Sequence, residues 1–316
     1  MPCRHDDAVI QTLVGDAVIT LPNLQHFVMD ATYFVAPLPI SRLPPLIALT
    51  LYGGTKNISE QAGIDQVSQC VAKSHHLSSL TLFRSNGSEP SATTSLHSIF
   101  KEFDATKHPP LKLTRLTLGG FYVRFDATIL PHFKSLQSLV LSDFAEPAQP
   151  PRRRDGTDDA PGVGRALSSC AAPFSDMWKE FRKAGIRLSR IDVAHVSNAF
   201  VDYISSYSGL ENLTLYVHDL DAQNVDAKRE DQFWEALGGN HGGTLQCLDI
   251  YPHYEGGWCF SQKRATGLGK CEELLSLRVA IATSRAVSYD ESSSLSADSC
   301  QAVVRDITLL WPWPVP

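Results

Sequence analysis

The sequence predicts an α/β fold built as a solenoid, a curved parallel β-sheet with irregular helices on its convex side, and three observations lead there. An apolar residue followed three and five positions later by two more recurs along the chain in a spaced series of ten, starting at Leu24, Leu46, Leu77, Leu113, Leu136, Leu188, Leu210, Leu245, Leu274 and Val304. These starts lie on average roughly 31 residues apart, inside the range of stacked repeat units. Between the triplets the apolar period shifts from two, that of a strand, toward that of a helix.

Five triplets use Leu throughout: Leu46/Leu49/Leu51, Leu77/Leu80/Leu82, Leu113/Leu116/Leu118, Leu136/Leu139/Leu141 and Leu210/Leu213/Leu215. With Leu at roughly a ninth of positions, chance supplies about half of one such match. The remaining five are Leu24/Phe27/Met29, Leu188/Ile191/Val193, Leu245/Leu248/Ile250, Leu274/Leu277/Val279 and Val304/Ile307/Leu309. Each alone is only an alternating strand, and their recurrence is what supports them.

In chain order, residues 1–20 form an extension or cap, and the single repeat domain of about ten units covers 21–316. The first helix follows Ser59, a candidate N-cap, with Ile64, Val67, Cys70 and Val71 on one face. A second carries Leu96, Ile99, Phe100 and Phe103 and ends before Pro109-Pro110, which cannot continue it. Further helices carry Phe174, Trp178 and Phe181, then Phe200, Val201, Ile204 and Tyr207 after Ser197, then Phe233, Trp234 and Leu237 stopped by Gly238-Gly239. Their aromatic stripes are expected to pack against neighbouring units. The triplet starts are 22 to 52 residues apart, so the array is irregular and its short units should return through little or no helix. The longest gap contains Glu146 to Pro173, with Pro147, Pro150, Pro151, Arg152-Arg153-Arg154, Asp158-Asp159 and Pro161, and reads as a mobile, disordered loop without core. At the carboxyl end Trp311-Pro312-Trp313-Pro314-Val315-Pro316 reads as a cap over the last strand.

The net charge of −6 over 316 residues argues against a general nucleic-acid binder, which draws its affinity from Lys and Arg on phosphates. No apolar run is long enough to span a bilayer, and Met1 to Asp7 lack the blocks of a secretory signal, so the expectation is a protein of the cytoplasm or nucleus with no membrane partner. The sequons at Asn57, Asn86 and Asn212 then carry no weight. Seven widely spread cysteines make a disulfide framework an unsuitable reading. Cys247, Cys259 and Cys271 near His241 and His253 match no usual metal-ligand spacing, and no metal or cofactor is expected. There is no nucleophile elbow, phosphate-binding loop, zinc-protease motif or dinucleotide fingerprint. Gly267-Leu268-Gly269-Lys270 reads as a turn. His75-His76 has no catalytic partners legible in sequence, so the chain is expected not to be an enzyme.

The triplets joined by helices of variable length resemble leucine-rich repeat proteins, and the irregular units resemble the ribonuclease-inhibitor-like repeats of fungal F-box proteins, over roughly Leu21 to Pro316. Eight residues after each first Leu that family has Asn or Cys, whereas this chain has residues such as Gly54, Ser85, Phe121, Val196, His218 and Ala282; the buried asparagine ladder is missing. The F-box, a helical bundle of about forty or more residues, does not fit ahead of Leu21, and Leu21-Pro22 leads straight into the first strand. The resemblance implies a non-catalytic protein-protein interaction module. Its narrower form is the substrate-recognition part of an F-box-type ubiquitin-ligase receptor, here a fragment without its box, whose adaptor binds only through an F-box outside this chain. The alternative is a standalone scaffold or adaptor unrelated to ubiquitin ligation, and the third, less favoured reading is an enzyme whose site no motif reveals.

Side chains between the inward leucines point out of the sheet. They are Thr50 and Tyr52, Thr81 and Phe83, Arg115 and Thr117, Arg190 and Asp192, Thr214 and Tyr216, Asp249 and Tyr251, Arg278, and Thr308. Thr and Tyr are good strand formers whatever they bind. Arg190, Asp192, Tyr216, Asp249, Tyr251 and Arg278 are the candidate protein-binding set, a mixed aromatic and charged patch on the concave face.

Overall fold

The computed structural model describes residues 5–30, 39–53, 61–84, 95–104, 107–121, 123–142, 174–194, 196–217, 227–252 and 258–281. The chain divides into two compact units, Met1–Pro173 and Phe174–Pro316. Both are α/β, with parallel strands joined by helices.

The first unit holds β1 (His26–Asp30), β2 (Ala48–Gly53), β3 (Ser79–Arg84), β4 (Arg115–Gly119) and β5 (Ser138–Ser142), each pairing in parallel with the next. The triplets set this register. Phe27, Leu49, Leu80, Leu116 and Leu139 stand in one row across the strands, and Met29, Leu51, Leu82, Leu118 and Leu141 in the next. A slip of one residue would turn every leucine to the opposite face, so burial of one face specifies the pairing. The leucines of β2 to β5 are buried, while Phe27 in β1 is only half-buried.

The second unit repeats the arrangement with β6 (Arg190–Val193), β7 (Asn212–Val217), β8 (Cys247–Pro252) and β9 (Ser276–Val279). Its two inward rows are Ile191, Leu213, Leu248 and Leu277, and Val193, Leu215, Ile250 and Val279. Nine of the ten triplets are therefore parallel strands in sequential order within their units. The tenth, at Val304, lies outside the described residues, as do Thr308, the Trp311–Pro316 segment, Ser59 and the 146–173 stretch.

Helix α1 (His5–Ile19) has no counterpart in the sequence reading, because its apolar residues are spread around the axis instead of gathered on a stripe. Ile10, Leu13 and Val14 are exposed. Helix α2 (Gln61–Lys73) buries the expected Ile64, Val67, Cys70 and Val71. Helix α3 (Leu96–Phe100) is shorter than expected: it ends well before Pro109, and Phe103 is buried beyond its end. Two short returns, Ile40–Arg42 and Leu130–Phe133, are single turns of 3-10 helix, as the close triplet spacing predicts.

In the second unit α4 (Phe174–Ala184), α5 (Asn198–Ile204), α6 (Ala227–Asn240) and α7 (Gln262–Leu268) pack side by side in chain order. The Ser197 hydroxyl caps α5 by accepting the Phe200 N–H at 3.2 Å. The aromatic stripes are core. Trp178 packs against Phe181, Phe200 and Tyr203, and Phe233 against Trp234 and Trp258. One expectation is corrected here. Gly238 and Gly239 do not stop α6, which runs to Asn240. A Cβ on Gly238 would lie 2.1 Å from the Gly267 carbonyl oxygen in α7, so Gly238 marks the crossing of two helices at backbone contact. Gly267 is likewise helical, with Gly269 at the C-cap, so Gly267-Leu268-Gly269-Lys270 is the end of a helix and not merely a turn.

Backbone groups at the strand entrances take side-chain partners from the helix or turn that follows the strand. The Leu46 N–H donates to Ser74 Oγ at 3.0 Å, and that hydroxyl donates to the Cys70 carbonyl at 2.7 Å. The Leu188 N–H donates to the Tyr203 hydroxyl, which donates to the Ile186 carbonyl, and the Tyr207 hydroxyl donates to the Leu188 carbonyl. Leu111 and Leu210 donate their N–H groups to Nδ1 of His132 and of His241. A buried polar group without a partner costs about 1 to 3 kcal/mol. Ser74→Ala is therefore expected to destabilise the protein by about 1 to 2 kcal/mol, read as a lower urea midpoint. An unchanged midpoint would show that this hydroxyl supports nothing.

Candidate functional site

Alternation along β6 to β8 buries every second residue and presents the others on the opposite face, and β9 continues the register with Val279 buried and Leu277 half-buried. Parallel pairing then lines these up across strands. One row is Arg190, Asn212, Cys247 and Ser276; the next is Asp192, Thr214, Asp249 and Arg278; beyond it Tyr216 stands beside Tyr251. All six candidate residues thus share one face of the second unit.

Their contacts are specific. The Tyr216 and Tyr251 rings stack with centroids 5.1 Å apart and planes 12° from parallel, and Tyr216 remains 42% exposed. Arg278 Nη1 donates to the Tyr251 hydroxyl at 2.7 Å and lies 3.8 Å from Asp249 Oδ2, an ion pair too long for a hydrogen bond. Asp249 Oδ1 is shielded from solvent and has no hydrogen-bond partner. Burial is the main influence raising the Asp192 carboxyl above the ordinary range; Arg190 opposes it, and Asp249 adds to it. Burial likewise raises the Tyr216 hydroxyl, followed by Asp192, Tyr251 and Asp249, with Arg278 opposing.

The outward face of the first unit differs. Val28, Thr50, Thr81, Thr117 and Val140 form an uncharged row, and the Tyr52 and Phe83 rings are 6.5 Å apart. Phe83 lies over the bare backbone of Gly119. Arg115 is exposed at the strand start.

No family model matches the chain, and no curated protein matches it.

Of the residues weighed as metal ligands, Cys259 and Cys271 are buried, Cys247 is half-buried, and His253 lies outside the described residues. Burial pushes the Cys271 thiol up to about 11, which disfavours the thiolate a metal needs. His241 has both ring nitrogens engaged: Nδ1 accepts from Leu210, and Nε2 donates to the Ile204 carbonyl at 2.9 Å. Among the described residues there is no group of three or more His, Cys, Asp or Glu placed to hold a metal, and no helix is long and apolar enough to cross a membrane. A hollow of about 310 Å³ between α1, β1 and the Ile40 turn is lined mainly by Val14, Val18, Ile19, Phe27, Met29 and Leu43. It offers apolar surface without a cluster of reactive groups.

Sequence reasoning picked the six surface residues but missed their couplings. The Arg278–Tyr251 bond joins strands 27 residues apart, and only the register β8 adopts with β9 brings the two side chains together. The histidine and tyrosine bonds at the strand entrances were also missed, although a histidine four residues before the triplets at Leu136 and Leu245 is a signal that could have found two of them.

Proposed function

We propose that this chain is a leucine-rich-repeat-type, non-catalytic interaction module whose second-unit sheet face holds a protein partner. The observation that carries the reading is the convergence of Arg190, Asp192, Tyr216, Asp249, Tyr251 and Arg278 on one face, around a stacked and partly exposed tyrosine pair. Rigid aromatic area flanked by charge is the composition of binding hot spots. Sequential parallel strands in leucine register support the repeat reading. A tyrosine pair on a sheet has low side-chain entropy to lose on binding, which favours a preorganised surface.

The test is Tyr216→Ala with Tyr251→Ala. Affinity for a partner isolated with the wild-type protein is expected to fall more than about tenfold, with little change in thermal midpoint because both rings sit on the outward face. Unchanged affinity would remove this face from the binding site. Substrate recognition for a ubiquitin ligase is the narrower form of the reading, supported by the resemblance of the irregular units to F-box-protein repeats. Co-purification of the natural full-length product with a cullin-RING adaptor tests that form.

A further inference from the structure

We propose that the partner docks through a basic side chain, lysine or arginine, seated over Thr214 between Asp192 and Asp249 with its stem along the Tyr216–Tyr251 stack; this rests on the recognition surface proposed above. The register puts Asp192 on β6 and Asp249 on β8, with Thr214 between them on β7. Strands are about 4.8 Å apart, so a cation above Thr214 lies about 5 Å across the sheet from either carboxylate's strand.

Charge complementarity decides between a cation and an anion. Two resident cations act on the pair: Arg190 opposes the rise of the Asp192 carboxyl, while Arg278 Nη1 donates to the Tyr251 hydroxyl and stands 3.8 Å from Asp249 Oδ2. Asp249 is thus incompletely neutralised, and its Oδ1 lacks any donor. An incoming N–H donor relieves that deficit after a small rotation of the carboxylate, whereas an acidic group would face two carboxylates. After burial, the largest cause, Asp192 and Asp249 also act to raise the Tyr216 hydroxyl, with Arg278 opposing. Two rows of the sheet therefore complement the two parts of one long basic side chain. The carboxylates face its cation, and the neighbouring aromatic pair offers a flat surface for its methylenes and, for arginine, for guanidinium stacking.

The test uses an immobilised array of random nonapeptides whose central residue is fixed as Arg, Lys, citrulline, Ala or Glu. Wild-type protein is expected to be retained by the Arg and Lys spots about fivefold or more above the citrulline, Ala and Glu spots. Asp192→Asn with Asp249→Asn should abolish that preference while leaving the circular dichroism and thermal midpoint in place. Tyr216→Ala with Tyr251→Ala should lower retention on every spot. Equal or greater retention on Glu or citrulline, retention on none, or an Arg preference that survives the two asparagine substitutions overturns the basic-side-chain inference. Binding that depends on the tyrosines but ignores the central charge overturns only this inference, whereas binding indifferent to the tyrosines overturns the surface reading as well.

Discussion

Gly238→Ala is expected to lower the stability of the protein by about 2 to 3 kcal/mol, while Gly239→Ala, one residue further, is expected to raise it by about 0.5 kcal/mol. Both positions lie in α6, where alanine is intrinsically the better helix former. They differ in what the new methyl meets. At Gly238 it would lie 2.1 Å from the Gly267 carbonyl oxygen and 2.9 Å from the carbonyl carbon, whereas at Gly239 nothing lies within 4 Å. The obstruction is backbone, so no rotamer change relieves it and α6 and α7 must separate. That separation loosens contacts between helices whose crossing is already close, with a Cβ on Gly267 only 3.2 Å from the Trp234 carbonyl oxygen. Urea denaturation followed by circular dichroism checks the pair. If both substitutions shift the midpoint in the same direction, the helices do not cross at backbone contact.

Acidification is expected to destabilise the fold through His132 and His241. Both rings are buried, and burial lowers their affinity for protons; for His132 the folded value falls from 6.5 to about 4. Each Nδ1 accepts a backbone N–H, so each ring is neutral on that nitrogen in the native state. Between the folded and unfolded values the unfolded chain binds more protons, and stability therefore rises with pH across that window. The contribution is fully present above about pH 6.5 and is lost as pH falls toward 4. For His132 alone the loss is about 2 kcal/mol on going from pH 7 to pH 5. His132→Asn retains an acceptor for the Leu111 N–H but does not titrate. Its urea midpoint should change less between pH 7 and pH 5 than that of the wild type, and an identical change in both would remove His132 as the source.

The asparagine ladder and the helix stops show where sequence reasoning loses hold. A ladder of one residue type at one spacing is visible in a single sequence; Ser74 and Tyr203 form none, but His132 and His241 each stand four residues before a triplet, at Leu136 and Leu245, and each accepts a backbone N–H at Nδ1. Each was selected by what its helix or turn brings near the preceding strand entrance, which depends on the length of the return. The two glycines of α6 failed as a stop for a related reason. Glycine ends helices when nothing else explains it, but here Gly238 is needed for close approach to a helix some 29 residues away.

Alternation and recurrence are local properties, and they determined the strand positions, the parallel order within each unit and which residues leave the core. Period two sends alternate side chains to opposite faces whatever the surroundings, so Tyr216, Asp249, Tyr251 and their neighbours were legible as surface residues from the chain alone. Tertiary structure decided how those residues act on one another. Register set Arg278 against Tyr251, burial left Asp249 Oδ1 without a donor, and packing put Gly238 on Gly267. Distance and desolvation arise only when separate stretches of chain share space, and a linear pattern carries neither.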